Sequence, residues 1–214
     1  MAERIGVTTR VVTVPGRDER RDCLAADWAV FLGKALPGVR WLPVPNLGED
    51  VVSFVEGWSL DGFILTGGED IGTDARRDTT EAALLTLALA RGLPVFGVCR
   101  GLQMIQRFFG GSLTRCAPGR HAGSRHSLTV IDDTPLWSGI GPAFEVNSFH
   151  GLGVPRSEVA PGLAAFAISE DGLAEGIYSP NAPVLAVQWH PERGAVAELD
   201  RRLVRRVLGS ERGG

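Results

Sequence analysis

Apolar positions in the first half of the chain switch repeatedly between two spacings. "RIGVTTRVV" is rich in β-branched residues and predicts a first strand, whereas "RDCLAADWAVFLGKAL" repeats its apolar residues at helical spacing and stops at Pro37-Gly38. "VRWLPVP" predicts a short strand, "GEDVVSFVEGW" a short helix, and "DGFILTGG" a compact apolar strand ending in a glycine pair. "DTTEAALLTLALARG" is the clearest helix, with Asp78 or Thr79 as its N-cap, Glu81 in its first turn and Gly92 as its stop. "LPVFGV" predicts another buried strand, and "RGLQMIQRFFGG" a helix closed by Gly110-Gly111. Short, wholly apolar runs alternating with amphipathic helices predict an α/β fold with a largely parallel central sheet flanked by helices.

The texture changes from residue 112. "SLTRCAPGRHAGSRHSLTVID", "FEVNSFHG", "LAAFAISEDGLAEGIYSP" and "APVLAVQWHPE" read as short strands separated by turns, with Asp171-Gly172 as a hairpin signal, so that added short antiparallel strands are expected beside the parallel sheet. "AVAELDRRLVRRVL" predicts a C-terminal amphipathic helix whose arginine run reads as a solvated face. Neither a repeat nor a dividing linker is present, so residues 1–208 are expected to form a single domain, with 209–214 a flexible tail.

Composition narrows the setting. The 214 residues are 44% hydrophobic, enough for a substantial core. A net charge of −3 offers no basic field, so a nucleic-acid polymer is not an expected partner. The chain shows no signal-peptide pattern and no apolar stretch long enough for a membrane span. The odd cysteine count, Cys23, Cys99 and Cys116, fits a reducing compartment, and the cytoplasm is the expected location.

Within this frame, Gly97-Val98-Cys99-Arg100-Gly101 sets a nucleophile between glycines at a strand-to-helix junction. That is the pattern of a nucleophile elbow, where small neighbours let the turn close around a strained central residue. The helix N-terminus is expected to favour thiolate over thiol, and the backbone N–H of Arg100 to face an oxyanion forming beside the sulfur. A buried cysteine packed in such a turn fits the same pentapeptide. His190 lies just beyond a predicted strand, and Glu192 projects to the same side of an extended segment, so the carboxylate can fix the imidazole tautomer. Pro191 stiffens that piece, although a plain surface turn also satisfies His-x-Glu. Gly67-Gly68 allows a backbone amide to approach an anionic oxygen closely.

In this order and at these separations, "LTGGED", "GVCRGLQ" and "QWHPE" resemble class I glutamine amidotransferases, and among them the γ-glutamyl-GABA hydrolase type of peptidase family C26. The resemblance implies a flavodoxin-like core and a cysteine hydrolase that passes through a γ-glutamyl thioester, with no metal or organic cofactor. It implies Cys99 as nucleophile, His190 and Glu192 as the rest of the triad, an oxyanion hole from the amides of Gly68 and Arg100, and Gly67 and Gln103 as substrate-binding residues, Gln103 in the glutamyl pocket. "VNSFHG" is similar to a family segment lying against the amino-acid end of the substrate, which implies Asn147, Ser148, Phe149 and His150 as its wall. Gly151 stands where that type more often has a second histidine and a glutamine, a departure on the leaving-group side.

"TTRVVTVPGRDERRDCLAADW" is similar to the branch of γ-glutamyl-CDP-amidate hydrolases, which release a nucleotide phosphoramidate in capsule biosynthesis. That likeness implies Arg10, Glu19 and Arg21 as substrate contacts, and arginines suit a phosphate. A solvated charge run leading into a helix is the alternative reading. The expected partner is a small γ-glutamyl molecule, with a homodimer left open. Two other functions remain open as well: a glutaminase subunit supplying ammonia to a separate synthetase, and a non-catalytic binding protein on the same fold. Cys116, His121 and His126 have C-x4-H-x4-H spacing, but two further ligands of suitable spacing are missing, so no metal is expected there. Cys23 and the tryptophans Trp28, Trp41, Trp58, Trp137 and Trp189 are expected to be packed residues of the core or its edges.

Overall fold

The computed structural model describes residues 2–132 and 141–209, so Trp137 and the predicted tail beyond Gly209 lie outside the described residues. The centre of the sheet is parallel, in the order β4 (Arg40–Val44), β1 (Arg4–Thr8), β5 (Gly62–Leu65), β6 (Val95–Val98) and β13 (Val184–Val187). Antiparallel strands extend it through β12 (Leu173–Tyr178), β11 (Ala164–Ser169), β8 (Ala122–Val130) and β9 (Ala143–Phe149). A further strand, β10 (Leu152–Pro155), pairs with β12 and with the short β7 (Thr114–Arg115).

Every residue of β5, β6 and β13 is buried, because helices cover both faces of the sheet. On one face α1 (Asp27–Ala35) and α5 (Glu198–Leu208) bring Trp28, Phe31, Leu203 and Val204 against Ile64 and Phe96. On the other, α2 (Val51–Gly57), α3 (Ala75–Arg91) and α4 (Arg100–Phe108) pack Val55, Leu84, Leu85 and Ile105 against Phe63 and Leu65. Successive residues of β5 thus feed opposite layers, as the strand period requires. Among the described residues no helix is long and apolar enough to cross a membrane.

Four expectations need correction. The first predicted strand breaks at Thr9, and its second half, β2 (Arg10–Thr13), pairs with β3 (Arg20–Cys23) in a separate hairpin. The second half of the charged run is therefore a strand, Cys23 ends it, and α1 starts only at Asp27. Helix α3 starts at Ala75 rather than beyond Asp78, because the Asp74 side chain accepts the Arg77 N–H at 3.0 Å; Glu81 then falls beyond the first turn. Gly92 ends that helix in the left-handed conformation, as expected. Trp58 is 57% exposed, not packed, whereas Trp28 and Trp189 are buried. The arginine run is not purely solvated either: Arg205 Nε donates to the Ala35 carbonyl at 2.6 Å, satisfying the last turn of α1.

Trp189 Nε1 donates to Asp200 Oδ1 at 2.8 Å, tying α5 to the segment after β13. Burial pushes the Asp200 carboxyl up to about 6, with the nearby Glu192 charge adding to it and the indole N–H opposing it. An unfolded aspartate titrates near 3.9, so between that value and about 6 the unfolded chain loses its proton first and stability falls as pH rises. Asp200→Asn is expected to flatten this slope, which amounts to at most about 3 kcal/mol. Urea unfolding at pH 4 and pH 7 measures it; an unchanged slope in the variant refutes the assignment.

Candidate active site

The chain turns back on itself in strand order around β1, and a parallel sheet opens for ligands at the carboxyl ends of its strands near such a point. Thr8, Gly67, Cys99 and His190 all stand at those ends.

Cys99 joins β6 to α4 with φ 53° and ψ −104°, the mirror image of an extended conformation. For an L-residue that conformation costs about 1–3 kcal/mol. Close packing of the turn enforces it. A Cβ on Gly101 would lie 2.1 Å from the Leu65 carbonyl oxygen, and one on Gly97 would lie 2.7 Å from Ile105 and 2.9 Å from the carbonyl carbon of Gly101. The Cys99 N–H is anchored on the Val187 carbonyl at 2.8 Å, and Gln188 Nε2 lies 3.7 Å from the sulfur.

Cys99 and His190 both border Gly67. A Cβ on that glycine would stand 2.7 Å from His190 Cε1 and 3.5 Å from both His190 Nε2 and Cys99 Cβ, so any side chain there would fill the space between them. His190 is buried, and its Nδ1 lies 2.7 Å from Glu192 Oε1, which leaves Nε2 for the sulfur side. Its main chain is clamped by Asn147, whose Oδ1 accepts the His190 N–H at 2.9 Å and whose Nδ2 donates to the His190 carbonyl at 2.8 Å. Burial pushes the Cys99 thiol up to about 12; the Arg100 N–H opposes this, while the Glu192 and Glu175 carboxylates reinforce it. The expectation that the helix N-terminus favours a resting thiolate is therefore corrected, because a sulfur stripped of water loses more than one N–H returns.

Under the two loops lies a buried ionic network. Arg77 is fully buried; it donates from Nη2 to the carbonyls of Thr66 (2.8 Å) and Gly67 (3.1 Å), and it pairs with Glu81 (3.2 Å) and Glu69 (3.0 Å). Arg100 pairs with Glu81 and Asp78. Thr8 donates its hydroxyl to the same Glu81 at 2.9 Å. Sequence reasoning missed Arg77, Asp78 and Glu81 as parts of the site. An arginine and a glutamate four apart on the buried face of α3 were the available signal.

The remaining predicted residues divide. Arg10 is exposed and borders Gly68, where an added Cβ would lie 3.0 Å from that of Arg10 and 2.1 Å from Arg77 Nη1. Phe149 is 45% exposed, its ring 5.9 Å from the His190 ring and 4.6 Å from the Arg193 guanidinium carbon. Gln103 donates to the Leu152 carbonyl at 3.1 Å, pinning β10 to α4. Glu19 and Arg21 pair with each other at 2.6 Å on the exposed hairpin. Ser148 donates to the His121 carbonyl at 2.9 Å, and His150 Nε2 lies 3.4 Å from Glu175 Oε1.

The model of the Peptidase C26 family matches residues 5–192. The chain belongs to that family. Among relatives, the C26 chain is 26% identical over 195 residues to the gamma-glutamyl-CDP-amidate hydrolase of Campylobacter jejuni, a match covering 88% of this chain and 90% of that protein. It is 35% identical over 165 residues to the gamma-glutamyl-gamma-aminobutyrate hydrolase PuuD of Escherichia coli K12, covering 62% and 64%. Matches to several relatives at 33–35% identity span between 51% and 67% of their lengths. A glutamine amidotransferase structure from Thermotoga maritima superimposes with TM-score 0.64 at 17% identity, covering 95% of this chain and 79% of that one, and shows the shared fold.

Two substitutions probe this architecture. Cys99→Gly is expected to be more stable than Cys99→Ala by about 1–2 kcal/mol, because glycine relieves the positive φ that alanine retains. Equal denaturation midpoints would show the turn to be unstrained. Glu81→Gln leaves two buried guanidinium groups short of charge and is expected to destabilise the C26 chain by about 3–5 kcal/mol. A loss under 1 kcal/mol would mean that Asp78 and Glu69 suffice for both.

Proposed function

We propose that this C26 chain is a cysteine hydrolase of γ-glutamyl amides, and that its substrate is a γ-glutamyl nucleotide phosphoramidate of the CDP-amidate kind. The observation that carries the catalytic reading is the approach of Cys99 and His190 across Gly67, with Glu192 2.7 Å behind the imidazole. Cys99 rests as a thiol. As its sulfur attacks the γ-carbonyl carbon, His190 Nε2 takes the proton, and the Gly68 and Arg100 N–H groups receive the oxyanion. The C–N bond then breaks as His190 returns that proton to the departing nitrogen. Water, deprotonated by His190, attacks the thioester; the C–S bond breaks, the sulfur regains a proton, and glutamate leaves.

Arg10 supports the choice of leaving group, since its backbone borders Gly68 at the edge of the site. A groove of about 440 Å³ continues from there, lined by Val11, Thr13, Arg20, Glu69, Asp74 and Arg76. Of its two arginines Arg20 is paired with Asp74, so Arg76 is the cation offered to a phosphate, and Val11 N–H on the Glu69 carboxylate at 3.3 Å holds the hairpin against the Gly67–Glu69 loop. The full-length similarity to the Campylobacter jejuni enzyme points the same way.

The test is glutamate release from γ-glutamyl-CDP-amidate, γ-glutamyl-GABA and glutamine by wild type, Cys99→Ala and Arg10→Ala. Wild type is expected to prefer the nucleotide, Cys99→Ala to be inactive, and Arg10→Ala to raise KM for the nucleotide about 10-fold or more, the scale of one charged hydrogen bond, while sparing γ-glutamyl-GABA. A preference for γ-glutamyl-GABA would refute the phosphate reading and keep the hydrolase. Glutamine hydrolysis that requires an added synthetase would replace it with an ammonia-supplying subunit. Release that survives Cys99→Ala would refute the mechanism.

A further inference from the structure

Of the four histidines only His190 serves the Cys99 site; the other three surround the buried carboxylate of Glu175 in the middle of β12. His121 stands just before β8, His126 within it, and His150 just after β9. Their nitrogens lie close to one oxygen, Glu175 Oε1: His121 Nδ1 at 3.3 Å, His126 Nε2 at 3.0 Å and His150 Nε2 at 3.4 Å. Yet Glu175 Oε1 and Oε2, His150 Nε2 and both ring nitrogens of His126 have no partner at hydrogen-bond geometry among the described residues. The groups are near one another and misdirected for donating to one another.

The outer contacts explain this arrangement. His121 Nε2 is held by Asp171 Oδ2 at 3.0 Å, and His150 Nδ1 by the Leu152 carbonyl at 3.0 Å. A neutral imidazole that gives its one proton to such an acceptor turns a lone pair the other way. His121 Nδ1 and His150 Nε2 then both present lone pairs to a carboxylate, which repels them unless a positive charge stands between. The ligand atoms of His121, His150 and Glu175 all lie within 4.8 Å of one another. In a tetrahedral site with bonds of about 2.0–2.1 Å, neighbouring donors are about 3.3–3.4 Å apart, and the two histidine-to-carboxylate edges here measure 3.3 and 3.4 Å.

We propose that His121, His150 and Glu175 bind a divalent cation of the Zn²⁺ class, a site distinct from the Cys99–His190 pair. Two imidazoles and a carboxylate favour Zn²⁺ or Co²⁺ over Mg²⁺ or Ca²⁺. The fourth position is left to water or to His126. A cavity of about 150 Å³, lined by Arg120, His121, His126, Ser169, Glu170 and Asp171, supplies the entry path. The ion would join the ends of β8 and β9 to β12. It would thereby brace the strand carrying Asn147, the residue that clamps His190.

The test uses chelator-treated Cys99→Ser/Cys116→Ser protein, which removes the elbow thiol and the Cys116 thiol that lies 3.5 Å from His150 Nδ1. Co²⁺ is expected to bind one per chain with the visible absorption of a tetrahedral site, to be displaced by Zn²⁺, and to raise Tm. His121→Gln and His150→Gln, whose folding is checked by circular dichroism, are each expected to weaken binding more than about 100-fold, beyond the 10–100-fold typical of outer contacts. Asp171→Asn is expected to weaken it within that smaller range. Absence of Co²⁺ binding, or binding unchanged in folded His121→Gln, overturns the proposal. So do ¹⁵N shifts showing His121 and His150 doubly protonated at neutral pH in the presence of Zn²⁺, since protons would then supply the positive charge.

Discussion

One carboxylate, Glu81 of α3, holds together the loops from which the candidate site is made. Thr8 reaches it from the end of β1, Arg77 from beside it on the helix, and Arg100 from the start of α4. Arg77 in turn holds the carbonyls of Thr66 and Gly67 after β5, and Thr66 is joined to Thr8 through both its backbone and its hydroxyl. Three adjacent strand ends are thus fixed relative to one another by a single buried charge and its counter-charges. Replacing such a network with apolar packing is often harmless to stability, but apolar side chains cannot direct carbonyls and amides. Here the ionic groups set the direction of the Thr66 and Gly67 carbonyls and anchor the Arg100 side chain at the start of α4, on either side of Cys99.

The same economy governs Cys99. Burial disfavours its thiolate, and the turn that presents it is strained. The strained turn opposes stability, whereas a buried neutral thiol does not; strain of this kind tends to be concentrated at functional sites. The glycines at 67, 97 and 101 are dictated by neighbouring atoms at under 3 Å from a hypothetical side chain: the His190 ring at 67, Ile105 and Ala186 side chains with the Gly101 carbonyl carbon at 97, and the Leu65 carbonyl at 101.

The sequence made the central strands legible because β5, β6 and β13 are buried on both sides and read as short apolar runs. Cys99, His190 and Glu192 were legible because their signals are local: flanking glycines and a spacing of two. What depended on distant partners was not. Asp74 and Asp78 are equal as caps by residue type, and the choice is settled by Arg100, which takes Asp78 from another helix. "RRDC" carries no strand signal, and its pairing with "RVVT" exists only in the hairpin. Cys116, His121 and His126 were weighed as metal ligands through their spacing alone, whereas the structure places His150 and Glu175 with two of these histidines from strands far along the chain.

The double clamp from Asn147 separates a seat from its occupant. Both hydrogen bonds go to the main chain of residue 190, and neither involves the imidazole. The position of residue 190 is therefore set by strand β9, through an amide that does not titrate, whatever side chain stands there. A fold built this way can exchange the side chain at 190 without moving the strand end that carries it. That offers a physical route by which one scaffold could carry different chemistry at the same place.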